Sequence, residues 1–218
     1  MRADSESYVN GLRKLGVSIG TETSFIDPRT TNVDITRPWM VRIGSGCTIT
    51  PGVTIMSHDY TLPVVQRVYG EVIASRMGAV TIGDNVYIGM HTTIVAGTTI
   101  GSNVIIGANS LVCKDIPDNC VAAGNPARVI STLDAYYQKR KAAYLQEAKE
   151  MVRAYIDTYR KDPPKELLYE HFWLFANREE ECIPPYKAMI KTDTAYCHYL
   201  DHEKPFASYE AFLEYCRT

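Results

Sequence analysis

Ser57-His58-Asp59-Tyr60 is the segment of this chain best equipped for chemistry. An imidazole titrates near neutral pH, so His58 could take a proton from a weak nucleophile such as a hydroxyl and later return it. Asp59 is adjacent, but neighbouring side chains normally point apart, so the two are not read as a dyad. Asp59 is better suited to steering a substrate or a neighbouring subunit. On spacing alone, an ordinary surface histidine at a corner explains His58 equally well. His91, in Gly89-Met90-His91, reads as a solvated or interface polar residue. A zinc centre needs three protein ligands and an open position. Only His58 and His91 lie in the repetitive part of the chain, while His171, His198 and His202 fall in the tail. No metal is expected. Cys47, Cys113, Cys120, Cys182, Cys197 and Cys216 show no C-x-x-C spacing and read as reduced thiols. Cys113 has no base placed beside it and reads as packed and inert. Lys114 and Arg128, taken alone, are surface cations.

The elements that must position these residues follow from an unusual period. Ile82, Ile88, Ile94, Ile100, Ile106 and Val112 recur at every sixth position, and Ile43, Ile49 and Ile55 form a shorter ladder upstream. Neither a strand period of 2 nor a helix period of 3.6 fits. A fixed short repeat marks a solenoid whose units stack. Gly83, Gly89, Gly101 and Gly107 each follow a ladder residue by one, and Thr92, Thr98 and Ser110 follow one by four. Aliphatic side chains then fill the inside of a tight prism, and small residues let the chain turn its corners. The ladder breaks after Ile55 and resumes only at Ile82, far beyond the position where one more repeat would place the next rung. The excess is an insertion, residues 59–79, which reads as a projecting loop with bends at Gly70 and Gly78. Its apolar residues, Val64, Val68, Val72 and Ile73 among them, predict packing against a neighbouring subunit.

Composition divides the chain. All 14 glycines lie at or before Gly124, and 11 of the 15 tyrosines lie after residue 130. The spacing predicts a short helix within residues 1–16 (Asp4 or Ser5 as cap, Gly16 as stop), a solenoid over 17–130 and a helical extension over 131–218. Within the solenoid, Phe25 to Met40 reads as irregular. In the extension, Leu133 to Arg160 reads as one long amphipathic helix, Glu166 to Asn177 as a second and Ser208 to Cys216 as a third. Pro163-Pro164 and Pro184-Pro185 read as breaks. The aromatic residues of the tail are explained by packing on the solenoid. A net charge of −2 gives no electrostatic case for nucleic acid. No apolar run is long enough for a membrane span, and the polar start, Met1 to Ser7, lacks the core of a signal peptide. These features predict a cytoplasmic protein.

The stretch Ile82-Gly83-Asp84-Asn85-Val86-Tyr87-Ile88-Gly89 and the four repeats after it are followed by Val112-Cys113-Lys114-Asp115-Ile116-Pro117 and Ala122-Ala123-Gly124-Asn125-Pro126-Ala127-Arg128-Val129-Ile130. Residues 16–130 resemble the hexapeptide-repeat acyltransferases, in particular the galactoside, maltose and xenobiotic O-acetyltransferases. The resemblance implies a mainly β fold, a left-handed parallel β-helix. That hand is opposite to the rule for ordinary parallel crossovers. It implies acetyl-CoA as co-substrate and a homotrimer with its active sites in clefts between subunits. His58 matches the family's catalytic histidine, following Ile49-Thr50-Pro51-Gly52-Val53-Thr54-Ile55-Met56-Ser57. Met90 matches the position whose backbone amide lies near the thioester, and Ala108 the position whose small side chain admits the coenzyme. Lys114, Asn125 and Arg128 complete the coenzyme-binding set, the two cations toward its phosphates. Asp59, Asn85 and Tyr87 are candidates for contact with the acceptor; Tyr87 stands where the family usually has tryptophan. The expected reaction is direct O-acetylation of a saccharide or polysaccharide precursor. A xenobiotic O-acetyltransferase, an amino-sugar N-acetyltransferase, a zinc protein resembling the γ-carbonic anhydrases and a non-catalytic scaffold are the alternatives.

Overall fold

The computed structural model describes residues 4–176, 186 and 188–218. Cys182, the Pro184-Pro185 break and the end of the expected second tail helix at Asn177 lie outside the described residues. The chain divides into two compact units, residues 1–138 and 139–218.

The first unit opens with α1 (Ser5–Leu15). Asp4 caps it by accepting from the Ser7 amide at 2.8 Å, and Gly16 ends it in the left-handed region at φ 106°. Tyr8, Val9 and Leu12 are buried beneath it. Fourteen short strands follow among the described residues, and the chain deals the first twelve to three sheets in rotation. The first sheet holds β1 (Ser18–Ile19), β4 (Val41–Ile43), β7 (Val80–Ile82) and β10 (Thr99–Ile100). The second holds β2 (Ser24–Phe25), β5 (Thr48–Ile49), β8 (Val86–Ile88), β11 (Val104–Ile106), β13 (Cys120–Ala123) and β14 (Arg128–Thr132). The third holds β3 (Asn32–Val33), β6 (Thr54–Ile55), β9 (Thr93–Ile94) and β12 (Leu111–Val112). Every pairing is parallel except β13 with β14.

One period of the ladder is the length of one face, and three faces make a coil. Ile82 therefore pairs with Ile100, Ile88 with Ile106 and Ile94 with Val112, each partner standing three rungs farther along. These side chains point inward and are almost wholly buried, each contributing about 1.5–3 kcal/mol. The corners need left-handed backbone, which asparagine and glycine tolerate best. One corner column runs Gly46, Asn85, Asn103, Asn119; another runs Gly52, His91, Asn109. The irregular stretch Phe25 to Met40 is a genuine coil: Phe25 stacks on Ile49 and Val33 on Ile55, with a 3-10 turn at Pro38–Met40 before β4.

Ile49 pairs with Ile88 and Ile55 with Ile94, so the insertion is looped out and the register across it stays intact. Its two ends are pinned: His58 and Met77 form an antiparallel bridge, and Gly78 donates to the Ser57 carbonyl at 3.0 Å. Within the insertion the expected loop contains a helix, α2 (Leu62–Tyr69), with a proline in its first turn and Gly70 as its left-handed stop. Val64, Val68 and Val72 are largely exposed.

β14 folds back on β13, so the β unit runs past residue 130, where glycine content falls. In the second unit, α3 (Leu133–Tyr159, which begins within the first unit) is as long as its periodicity predicts. The segment read as a second helix is instead a 3-10 stretch, Lys165–Leu174, interrupted at Leu168. Two further helices lie wholly within the described residues, α4 (Asp193–Asp201), which has no counterpart among the sequence-based expectations, and α5 (Tyr209–Arg217). Thr192 caps α4 and Ser208 caps α5. The tail's aromatic residues build this unit's own core. Phe172 stacks on Tyr186 at 4.9 Å and Phe175 on Phe212 at 5.4 Å, with Leu168, Leu174 and Leu213 filling between. Among the described residues, no helix is long and apolar enough to cross a membrane.

Candidate active site

The site is built where the chain leaves the third sheet for the first. Val33 and Ile55 pair across adjacent coils, so the residues that follow them turn the same corner one above the other. Asp34 follows Val33; Ser57 and His58 follow Ile55. This stacking brings the His58 Nδ1 to 2.6 Å from Asp34 Oδ2. Both side chains are nearly buried, at 10 % and 7 % exposure. The same carboxylate oxygen accepts from the Ser57 hydroxyl at 2.5 Å and the Ser57 amide at 3.2 Å. The other oxygen accepts from the Thr36 amide at 2.9 Å and the Thr36 hydroxyl at 2.7 Å.

Burial by itself would raise the Asp34 carboxyl. The donors from Ser57, Thr36 and His58 outweigh that desolvation and hold it well below the usual carboxylate range. An ionised Asp34 accepting at Nδ1 fixes the tautomer with its proton on Nδ1, leaving a lone pair on Nε2. Nε2 has no partner among the described residues. The Tyr60 ring meets the imidazole edge to face, with centroids 4.7 Å apart, and is itself exposed.

Asp59 does not join this pair. It accepts from the Thr61 amide at 3.2 Å and hydroxyl at 2.9 Å, which keeps its carboxyl below the usual range and opens the insertion with a tight turn. The partner of His58 is therefore Asp34, a residue absent from the sequence-based candidates. Its signal is an Asp-x-Thr after a ladder aliphatic, Val33, one coil before the histidine.

The remaining candidate residues fall on different edges of the prism. Met90 follows β8 and Ala108 follows β11, at the corner between the second and third sheets. The Asn109 amide donates to the Met90 carbonyl at 2.8 Å. Gly124 and Asn125 turn this same corner in the last coil, the Leu111 amide donating to the Gly124 carbonyl at 3.0 Å. Met90 and Ala108 thus stand one coil apart on one edge, about 4.8 Å, with Gly124 and Asn125 at the next turn of that edge. Met90, Ala108 and Asn125 are exposed, as is Arg128 at the end of this turn. Close stacking requires glycine beneath them: a Cβ on Gly89 would stand 2.5 Å from the Ala108 amide. Lys114 lies instead on the edge that carries His58, two coils farther along, and is exposed. The third sheet, one hexad wide and on the order of 15–20 Å across, separates the two edges.

Tyr87 stands on the outer surface of the second sheet between Thr48 and Ile105, 42 % exposed. Asn85 lies on the third edge, in an asparagine column: its amide donates to Asn103 at 2.9 Å, and Asn103 donates to Asn119 at 3.0 Å. His91 turns the second corner with φ 58°, packed over Gly52. The described cysteines carry no disulfide, and burial pushes the Cys47, Cys120 and Cys216 thiols up, Cys216 to about 11. No group of three metal-ligating side chains occurs among the described residues.

Short parallel strands dealt to three sheets, one hexad to a face, define a hexapeptide coil. Residues 79–114 match the bacterial transferase hexapeptide family (six repeats). The chain is 38% identical over 128 residues to protein CapG of Staphylococcus aureus, covering 59% of this chain and 73% of that protein. It is 34% identical over 130 residues to the putative acetyltransferase YvoF of Bacillus subtilis (strain 168), covering 58% and 67%. It is 43% identical over 103 residues to the galactoside O-acetyltransferase of Escherichia coli (strain K12), covering 47% and 49%. The chain belongs to the hexapeptide-repeat acyltransferase family.

Proposed function

We propose that this protein is an acetyl-CoA-dependent O-acetyltransferase whose acceptor is a hydroxyl of a saccharide or polysaccharide precursor, working in the cytoplasm. The observation that carries the reading is the His58–Asp34 pair, with the proton held on Nδ1 and Nε2 left open. His58 Nε2 takes the proton from the acceptor hydroxyl as its oxygen attacks the acetyl carbonyl carbon. The C–S bond breaks, and the imidazolium returns that proton to the departing thiolate. Asp34 stabilises the transient cation without itself being protonated. The Met90 backbone amide faces the carbonyl oxygen as negative charge develops. Lys114 and Arg128 pair with the coenzyme phosphates. The galactoside acceptor named for the Escherichia coli relative supports a sugar hydroxyl here.

The separation of the two edges supports the rest of the assembly. In one copy, His58 and Met90 face away from each other across the third sheet. They serve one site only where the His58 edge of one prism adjoins the Met90 edge of the next. Left-handed coils in a cyclic homotrimer supply that contact three times over, and α2 with its exposed valines then meets a neighbouring subunit.

The test is a thermal-shift titration with acetyl-CoA, followed by a thiol-release assay over a panel of mono- and oligosaccharides. Ligand at about 100 times its dissociation constant raises stability by roughly 2.7 kcal/mol. Lys114→Ala and Arg128→Ala are each expected to need more ligand for the same shift. No shift at millimolar acetyl-CoA, or no sugar-dependent thiol release, would overturn the reading.

A further inference from the structure

Resting on the proton transfer proposed for His58, we infer that Ser57 and Thr36 are positioning residues that act through Asp34, fixing its carboxylate and setting how strongly it supports the imidazolium. Ser57 neighbours the general base in sequence, and a serine beside a histidine invites a nucleophilic reading. The geometry points elsewhere. Ser57 is wholly buried, and its hydroxyl donates to the same Asp34 oxygen that faces His58 Nδ1. It therefore offers neither a free proton-accepting path to His58 nor access to a substrate. Thr36 donates twice to the opposite oxygen. Its hydroxyl lies 3.5 Å from His58 Nδ1 and is flanked by Arg37 Nη1 at 3.4 Å.

Each donor draws charge from the carboxylate and moderates its pull on His58. Removing one concentrates charge on Asp34 and stabilises the imidazolium further, so the base becomes harder to free of its proton. Removing Asp34 itself has the opposite effect. The other groups around the pair are Tyr60 against the ring, Arg37 beside Thr36, and Asp59 and Arg76 joined by a backbone hydrogen bond at the base of the insertion. All four are unchanged across the variants compared, so they add the same background to each.

The experiment follows His58 by imidazole nitrogen NMR as a function of pH, beside the pH profile of kcat/KM, in wild type, Ser57→Ala, Ser57→Thr, Thr36→Val and Asp34→Asn. Ser57→Ala and Thr36→Val are expected to move the His58 titration and the acid limb of the profile to higher pH, by about half a unit. Turnover at pH 7 falls by up to about threefold, the most that a half-unit shift allows, while KM for acetyl-CoA holds. Ser57→Thr keeps the hydroxyl and restores most of both. Asp34→Asn moves the titration to lower pH and weakens the Nδ1–H tautomer signal. A Ser57→Ala titration coincident with wild type, or displaced in the direction of Asp34→Asn, overturns the inference. Thr36 is at the surface, so Thr36→Val separates the same outcomes should Ser57→Ala fail to fold. The NMR titration needs no substrate. Shifts as expected without any sugar acetylation would retain the positioning role and reject the proposed reaction; acetylation without the shifts would do the reverse.

Discussion

Asp34 receives five hydrogen bonds on two oxygens, and this seat keeps it charged at a corner that is almost closed to solvent. Two predictions belong at this scale. His58→Ala lowers turnover by at least about 10²-fold, because a general base contributes on that order, while acetyl-CoA affinity stays near wild type. Steady-state kinetics beside a binding titration checks it, and full activity would remove His58 from the mechanism. The second concerns acid stability. The folded value of Asp34 lies below its ordinary 3.8. Its contribution is therefore fully present above the ordinary carboxylate range and is lost as pH falls through the folded value. The stability difference between wild type and Asp34→Asn, from urea melts, should be largest near neutral pH and shrink steadily below about pH 4. A difference that stays constant down to pH 2 would contradict the ionised seat.

The elements are governed by close approach between coils, and glycine is where that is most exposed to test. Gly89 carries the chain past the Ala108 amide, which would stand 2.5 Å from any added Cβ. Backbone cannot move aside as a flexible side chain can, so Gly89→Ala should destabilise by about 1–3 kcal/mol, read from chemical melts. It should also weaken acetyl-CoA binding, because Met90 is displaced with it; an unchanged melt and unchanged binding would mean the coil absorbs the methyl. The same local constraint made the prism legible. One aliphatic per hexad fills an interior that admits little else, so Ile43 to Val112 announces the coils from spacing alone. Asp34 was hidden for a related reason. Its partnership with His58 depends on register between coils, and the coil from Val33 to Ile55 is longer than the three even hexads that join Ile94 to Val112. The helix α2 left local signals, Pro63 in its first turn and Gly70 at its end, but its mixed apolar surface suggested a packed loop. In the tail, Lys165–Leu174 buries Leu168, Phe172 and Leu174 at a spacing that no regular α-helical face provides, and the helix expected there becomes a 3-10 stretch.

At the scale of the whole molecule, the prism places the proposed base and the proposed coenzyme-binding turn on two edges with a sheet between them. Under the proposed reaction, a single copy carries both halves of a site and no complete site. In a cyclic assembly each interface is heterologous, joining the His58 edge of one copy to the Arg128 edge of the next. Subunit mixing tests this directly. His58→Ala and Arg128→Glu should each be inactive, or nearly so, as pure proteins. Co-refolded in equal amounts, they should regain activity. A site works only where a copy with intact His58 adjoins one with intact Arg128, and random assortment gives about a quarter of all interfaces that pairing. Recovery near a quarter of wild-type kcat, appearing only after co-refolding and not on simple mixing of stable assemblies, is the expected result. If His58 and Arg128 served one site within a single copy, every copy in the mixture would still lack one of them. Activity would then stay at the level of the parents, and the two edges would have to be assigned to separate tasks.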